Sequence, residues 1–145
     1  IQNKIKPNKK IKFIYNDNFK DGVASSIKIG LDNISNNSEA FFICLGDMPN
    51  VNQNIYNKII KSRYNFNKKT SPAYRKEIFV PTYEDKEGNP VLFSKFMKKK
   101  VMEINDDFDA QKIIKINTNK TLYIPIKNDG IILDFNTEDD FVVES

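Results

Sequence analysis

The stretch Ala40-Phe41-Phe42-Ile43-Cys44-Leu45, followed at once by Gly46-Asp47-Met48-Pro49, constrains the fold more than any other part of the chain. For its length, an unbroken apolar run of this kind predicts a strand buried on both faces, the pattern of a central strand in a parallel sheet covered by helices. Polarity then reverses. Gly46 lets the backbone turn or approach a ligand closely, and Asp47 sets a carboxylate just past the strand's carboxyl end, where open α/β sheets bind their ligands. Cys44, inside the run, is expected to be inert packing.

Composition narrows the chemistry. A chain of 145 residues, 39% of them hydrophobic, suits one globular domain over 1–145. A single cysteine rules out an internal disulfide and points to a reduced, cytoplasmic setting. There is no histidine, so these residues build no Ser-His-Asp triad, no histidine base and no ordinary zinc site. Any metal is then held by oxygen ligands, which favours magnesium or a similar hard cation. No run approaches the roughly 18 apolar residues of a membrane span, and Ile1-Gln2-Asn3-Lys4 leads into no signal-peptide core.

Net charge is +4, yet all but Arg63 and Arg75 of the 23 basic residues are lysine. Abundant Lys, Asn and Ile look like drift under an AT-rich code rather than selection for phosphate-gripping arginine forks. Basic residues crowd the start (Lys4 to Lys20) and acidic ones the end (Asp134 to Glu144). Runs such as Lys98-Lys99-Lys100 read as the solvated face of a helix, so no nucleic-acid partner is expected.

In chain order, Ile11 to Asn16 is strand-like, and Gly22-Val23-Ala24-Ser25-Ser26 opens a helix with Ile27, Leu31 and Ile34 on its inner face. A glycine and two serines at a helix start suit phosphate or hydroxyl recognition, and equally suit an ordinary N-cap. Val51, Ile55 and Ile59 mark a second helix ending near Ser62, with Arg63 to Ser71 as a polar connector. Glu77 to Tyr83 is a strand, Glu84 to Pro90 a charged turn, and Val91-Leu92-Phe93 a further strand. Ser94 is placed to cap a helix carrying Met97, Val101 and Ile104, and Ala110, Ile113 and Ile114 suggest a short helix. Thr121 to Ile126 and Ile131 to Phe135 read as closing strands joined across a tight Asn128-Asp129-Gly130 turn, and Thr137 starts a last helix. Strands alternating with helices predict an α/β layered domain with right-handed crossovers.

Asp47 and Asp134 each follow an apolar strand, so both are expected at one edge of the sheet. Two oxygen ligands from separate strand ends, with a triphosphate supplying others, would hold a magnesium ion. By spacing alone, each acid serves equally well as the cap of a following helix.

Gly46-Asp47-Met48-Pro49, then Gly88-Asn89-Pro90-Val91-Leu92-Phe93, then Leu133-Asp134-Phe135-Asn136-Thr137 together resemble the molybdenum cofactor nucleotidyltransferases, the MobA-like NTP transferase family. The Gly-Asn-Pro-Val element looks most like the cytidylyltransferase branch. Gly22 to Gly30 is similar to the family's segment before the metal-binding strand. The resemblance implies a three-layer α/β/α Rossmann-like nucleotidyltransferase fold of the nucleotide-diphospho-sugar transferase type, and transfer of CMP from CTP to a molybdopterin-type acceptor with release of pyrophosphate. It implies magnesium on Asp47 and Asp134 with Asn136 as an amide ligand, Asp47 and Asp134 as the catalytic pair, and nucleotide contacts from Gly22, Ser25, Ser26 and Gly46. Gly88, Asn89 and Pro90 would face the pterin.

Three departures accompany the resemblance. Nothing before Ile11 matches the family's opening strand and glycine-rich phosphate loop, Leu-Ala-Ala-Gly-x-Ser-x-Arg-Met-Gly, so the domain is expected to be incomplete at its start. Asn105 to Gln111 stands where the family has Gly-Asp-x-Gly-Ala-Arg, keeping only Asp107 and Ala110. Asn136 replaces a frequent aspartate. The alternatives are a sibling enzyme using GTP or another phosphorylated acceptor, and a non-catalytic nucleotide-binding or accessory module. The missing strand would lie beside Ala40 to Leu45, leaving an apolar edge open to self-association.

Overall fold

The computed structural model describes residues 8–104 and 110–133. Strands β1 (Ala40–Ile43), β2 (Ile78–Tyr83), β3 (Lys86–Glu87), β4 (Val91–Ser94) and β5 (Thr121–Pro125) form one mixed sheet. β4 lies antiparallel between β1 and β2, while β5 runs parallel to β2 along the other edge of β2. Glu84 and Asp85, both at positive φ, make the tight turn that folds β3 back onto β2.

Period-two alternation divides the strand side chains between two helical layers. On one face, Leu31 of α1 (Val23–Asp32), Val101 of α3 (Lys98–Met102) and Ile113 and Ile114 of α4 (Ala110–Ile116) pack with Phe41, Ile78, Val80, Val91 and Phe93. On the other, Ile55 and Ile59 of α2 (Gln53–Lys69) cover Phe79, Leu92 and Ile124, with Ile126 and Ile131 completing the cluster. Ile59, Ile78, Phe79 and Phe93 are wholly enclosed, and burial of each such side chain is worth about 1.5–3 kcal/mol. This is the three-layer α/β/α domain expected from the sequence.

Several local expectations are corrected. β1 is not an interior parallel strand: it pairs with β4 alone among the described residues, antiparallel. Of Ala40 to Leu45 only Phe41 is buried, and Cys44 is exposed, because the ladder ends at the Ile43–Val91 pair and the chain beyond it leaves the sheet. α2 does not stop near Ser62 but continues to Lys69, since nothing between Lys61 and Lys69 breaks a helix. Its start is fixed by Asn52, whose side chain accepts from Asn54 N at 3.0 Å and Ile55 N at 3.3 Å.

Ser94 precedes a 3-10 turn and α3, yet makes no cap hydrogen bond. Among the described residues no closing hairpin forms either. Asp129–Ile131 is a 3-10 turn, because Asn128 Oδ1 accepts from Gly130 N at 2.8 Å and the Ile131 carbonyl is taken by Asn89 N at 2.8 Å. Ile11 to Asn16 forms no strand. Phe135 and the helix expected from Thr137 lie outside the described residues.

Glycines separate packing from propensity. A Cβ on Gly88 would meet the Ile131 carbonyl oxygen at 2.5 Å, whereas one on Gly30, within α1, would meet nothing within 4 Å. Gly88→Ala is therefore expected to cost about 1–3 kcal/mol. Gly30→Ala is expected to stabilise by about 0.5–1 kcal/mol, and urea melts of the two variants check both signs.

Candidate functional site

Because β4 runs against its neighbours, its amino end meets the carboxyl ends of β1 and β2. The Ile43–Val91 pair sets the segment 44–47 beside 88–90. Gly88 N donates to Pro81 O at 2.8 Å and Asn89 N to Ile131 O at 2.8 Å, which ties this loop to β2 and to the 128–131 turn. That turn also backs onto the chain just after Asp47, since a Cβ on Gly130 would lie 2.6 Å from Asn50 Cβ. Three loops thus converge at one end of the sheet.

Asp47 stands in this convergence, half-buried. Its Oδ1 is shut off from solvent and has no hydrogen-bond partner among the described residues. A carboxylate oxygen in that state carries a desolvation penalty of about 1–3 kcal/mol or more unless a cation or donor compensates it. A hard divalent ion is the natural complement of such an oxygen. Among the described residues no group of three or more His, Cys, Asp or Glu gathers into a metal cage. Asp134 and Asn136 lie outside the described residues, three and five positions beyond the buried Ile131.

Gly46 is exposed and has open space where a side chain would stand. Gly22 has φ 88° and ψ −178°, a conformation open essentially to glycine alone, and it fixes the entry into α1. The serines after it are not caps. Ser25 Oγ donates toward Gly22 O and Asn18 O at 2.9 Å each, and Asn16 Nδ2 donates to both Ser25 Oγ and Ser26 Oγ at 2.9 Å. The two hydroxyls therefore fasten the preceding loop onto the helix. Ser26 also lines a groove of about 360 Å³ between α1 and β1, whose other walls include Val23, Ile27, Leu31, Phe41 and Ile43. Gly88 and Pro90 are buried, leaving Asn89 as the half-buried polar member of its loop.

Sequence reasoning missed Tyr56 on α2. Its ring meets Phe42 edge-on at 5.2 Å, and its hydroxyl donates to Cys44 Sγ at 3.5 Å. Burial first, then the hydrogen bond and charge of Cys44, push the phenol up to about 12. Tyr83, at the carboxyl end of β2, is also raised, chiefly by the charge of Glu84, then by burial and by Asp129. This end of the sheet is acidic: Asp47, Glu84 and Asp129 all gather there. The signal for Tyr56 was its place one position after Ile55, at the edge of the apolar stripe.

A mixed sheet covered on both faces by helices is the arrangement of a Rossmann-like nucleotidyltransferase fold. The family described as MobA-like NTP transferase domain matches residues 2–122, and the chain belongs to that family. Three solved structures share the fold. The homologue of Mycobacterium tuberculosis Rv0371c from Mycobacterium sp. strain JC1 is 21% identical, with a TM-score of 0.66 over 83% of this chain and 55% of its own. Rv0371c from Mycobacterium tuberculosis is 24% identical, with a TM-score of 0.61 over 81% of this chain and 56% of its own. The same protein in complex with manganese is 24% identical, with a TM-score of 0.59 over 80% and 56%. The chain therefore spans about half the length of these structures. No curated protein matches it. Among the described residues no helix is long and apolar enough to cross a membrane.

Tyr56 makes a pH prediction. Its folded pKa, about 12, lies above the ordinary value of 10.0, so the stability it contributes is intact below pH 10 and is lost as pH rises from there toward 12. Ultraviolet phenolate titration is expected to show one tyrosine ionising last, and Tyr56→Phe to remove that step.

Proposed function

We propose that this chain carries the metal- and acceptor-binding part of a nucleotidyltransferase that joins CMP, from CTP, to the terminal phosphate of a molybdopterin-type acceptor in a cytoplasmic setting. The observation that carries this reading is the buried, unpartnered Asp47 Oδ1 at the convergence of three loops. In the proposed reaction an acceptor phosphate oxygen forms a bond to the α-phosphorus of CTP, the bond between the α- and β-phosphates breaks, and pyrophosphate leaves. The attacking group is already an anion, so the step calls for positioning and charge neutralisation rather than a proton-abstracting base. That suits a chain without histidine.

Asp47, with Asp134 and Asn136, would hold magnesium, or manganese as in the Rv0371c complex, and the ion would neutralise charge on the phosphates. Gly46 admits the phosphates close to the backbone. Gly22, Ser25 and Ser26 set the entry of α1 along the nucleotide, and Asn89, framed by Gly88 and Pro90, presents its amide to the acceptor. The acidic character of this end of the sheet supports a cation requirement, because a bare triphosphate would be repelled from it.

Calorimetry with manganese and CTP tests the reading. Asp47→Asn is expected to weaken metal-dependent CTP binding about a hundredfold or more; unchanged binding would defeat the metal assignment. A clear preference for GTP over CTP would move the assignment to a sibling enzyme, and nucleotide binding without pyrophosphate release at any acceptor would favour an accessory module.

Among the described residues β1 pairs on one side only. We propose that a strand carrying a phosphate loop pairs on its other side in the working enzyme, and that a second copy of this chain takes its place when that strand is missing. For the 145-residue chain the melting temperature is then expected to rise with protein concentration, and a monomer melting independently of concentration would refute self-association through this edge.

A further inference from the structure

The end of the sheet opposite Asp47 holds a cavity of its own. This cavity of about 330 Å³ lies where β1 begins and β4 ends, lined among others by Arg63, Asn67, Arg75, Glu77 and Ser94. Its floor breaks the pattern of the core. Ile55 and Ile59 of α2 pack on Phe79 and Leu92 of the sheet, and the next positions of the same two rows are Arg63 on the helix, four residues after Ile59, and Ser94 on the strand, two after Leu92. Polar side chains thus stand where the flanking pattern predicts apolar ones.

Neither is satisfied by protein. Ser94 is 3% exposed and its Oγ has no hydrogen-bond partner among the described residues; Arg63 Nε is equally enclosed and unpartnered. Their neighbours are already engaged. The Ser94 amide donates to Glu77 O at 2.8 Å, Arg63 Nη2 reaches only the Glu39 carbonyl at 3.5 Å, and Asn67 is committed to the Lys76 backbone through both of its side-chain polar atoms. Two unmet donors, on residues that line one cavity, cost about 1–3 kcal/mol each if nothing compensates them.

Charge selects the ligand. The Glu39 carboxylate is held by Lys95 at 2.8 Å, which leaves Arg63, Lys68 and Arg75 facing Glu77 around the same cavity. Both arginines of the chain are in this wall, and a guanidinium edge beside a hydroxyl is a donor set for an oxyanion. We propose that this cavity binds a small ligand through a phosphate or carboxylate group, to which Arg63 Nε–H and the Ser94 hydroxyl donate, at a site separate from the nucleotide end.

Binding of inorganic phosphate and of malonate, measured by calorimetry against sodium chloride at matched ionic strength, tests this. At least one is expected to bind at millimolar concentration or below, and the tighter of the two assigns the anionic group. Ser94→Ala and Arg63→Met are each expected to weaken that binding about tenfold or more, while Ser94→Ala leaves metal-dependent CTP binding unchanged. Ser94→Ala removes a hydroxyl with no protein partner, so its melting temperature without ligand is expected to match or exceed the original; this variant decides the matter if Arg63→Met fails to fold. Absence of binding by either anion, or affinity equal in Ser94→Ala and the original, would overturn the proposal and leave the hydroxyl to water.

Discussion

The antiparallel insertion of β4 between β1 and β2 is the constraint on which the rest of the molecule depends. Phe93, wholly enclosed, is opposite Phe41 on one side and Ile78 on the other, and its ring stacks on Phe41 with centroids 5.7 Å apart. This register fixes both ends of the sheet at once. At one end it sets 88–90 against the chain entering Asp47. At the other it carries Ser94 in under Arg63, at the level of Ala40. A slip of one residue would turn Phe93 out of its core and carry Leu92 and Ser94 together to the opposite face, so the fold and both ends of the sheet rest on one strand pairing.

The two ends differ in charge, and the difference has chemical content. Asp47, Glu84 and Asp129 gather at one end, where the charge of Glu84, then burial and the charge of Asp129, raise the pKa of Tyr83. Arg63, Lys68 and Arg75 outnumber Glu39 and Glu77 at the other. An acidic end suits an anionic ligand only together with a cation, and a basic end suits an oxyanion without one. With net charge only +4 over 145 residues, the overall balance reveals neither; the distribution along the sheet axis does.

Much of the layer structure was legible in the sequence because period sets it. Leu31 on α1, Ile55 and Ile59 on α2, the strand Ile78–Tyr83, and Ile113 and Ile114 on α4 all stand where apolar spacing puts them. Strand direction was not legible, since an apolar run reads the same parallel or antiparallel, and β4 was therefore missed as the inverted strand. The length of α2 was missed because its last turns carry Arg63 and Asn67 in the inward row, and polarity there reads as a loop. Asp47 was legible through its position after a strand and through motif resemblance. Tyr56 and Ser94 were not, because each owes its character to a partner distant in sequence, or to the lack of one.

The edge of β1 follows from the same logic. Soluble sheets blunt their edges with charge, proline, bulges or short, covered strands. Ala40–Ile43 carries no charge and no proline, and pairs on one side only among the described residues. The groove beside it is walled by Ile27, Leu31 and Ile43, which gain by excluding water and offer a triphosphate almost nothing. An apolar groove along an open edge is better suited to another strand than to a nucleotide. Ser26, at the head of α1, is then a polar exception in an apolar wall that runs as far as Leu45, so the groove itself argues for a strand and makes no case for a phosphate.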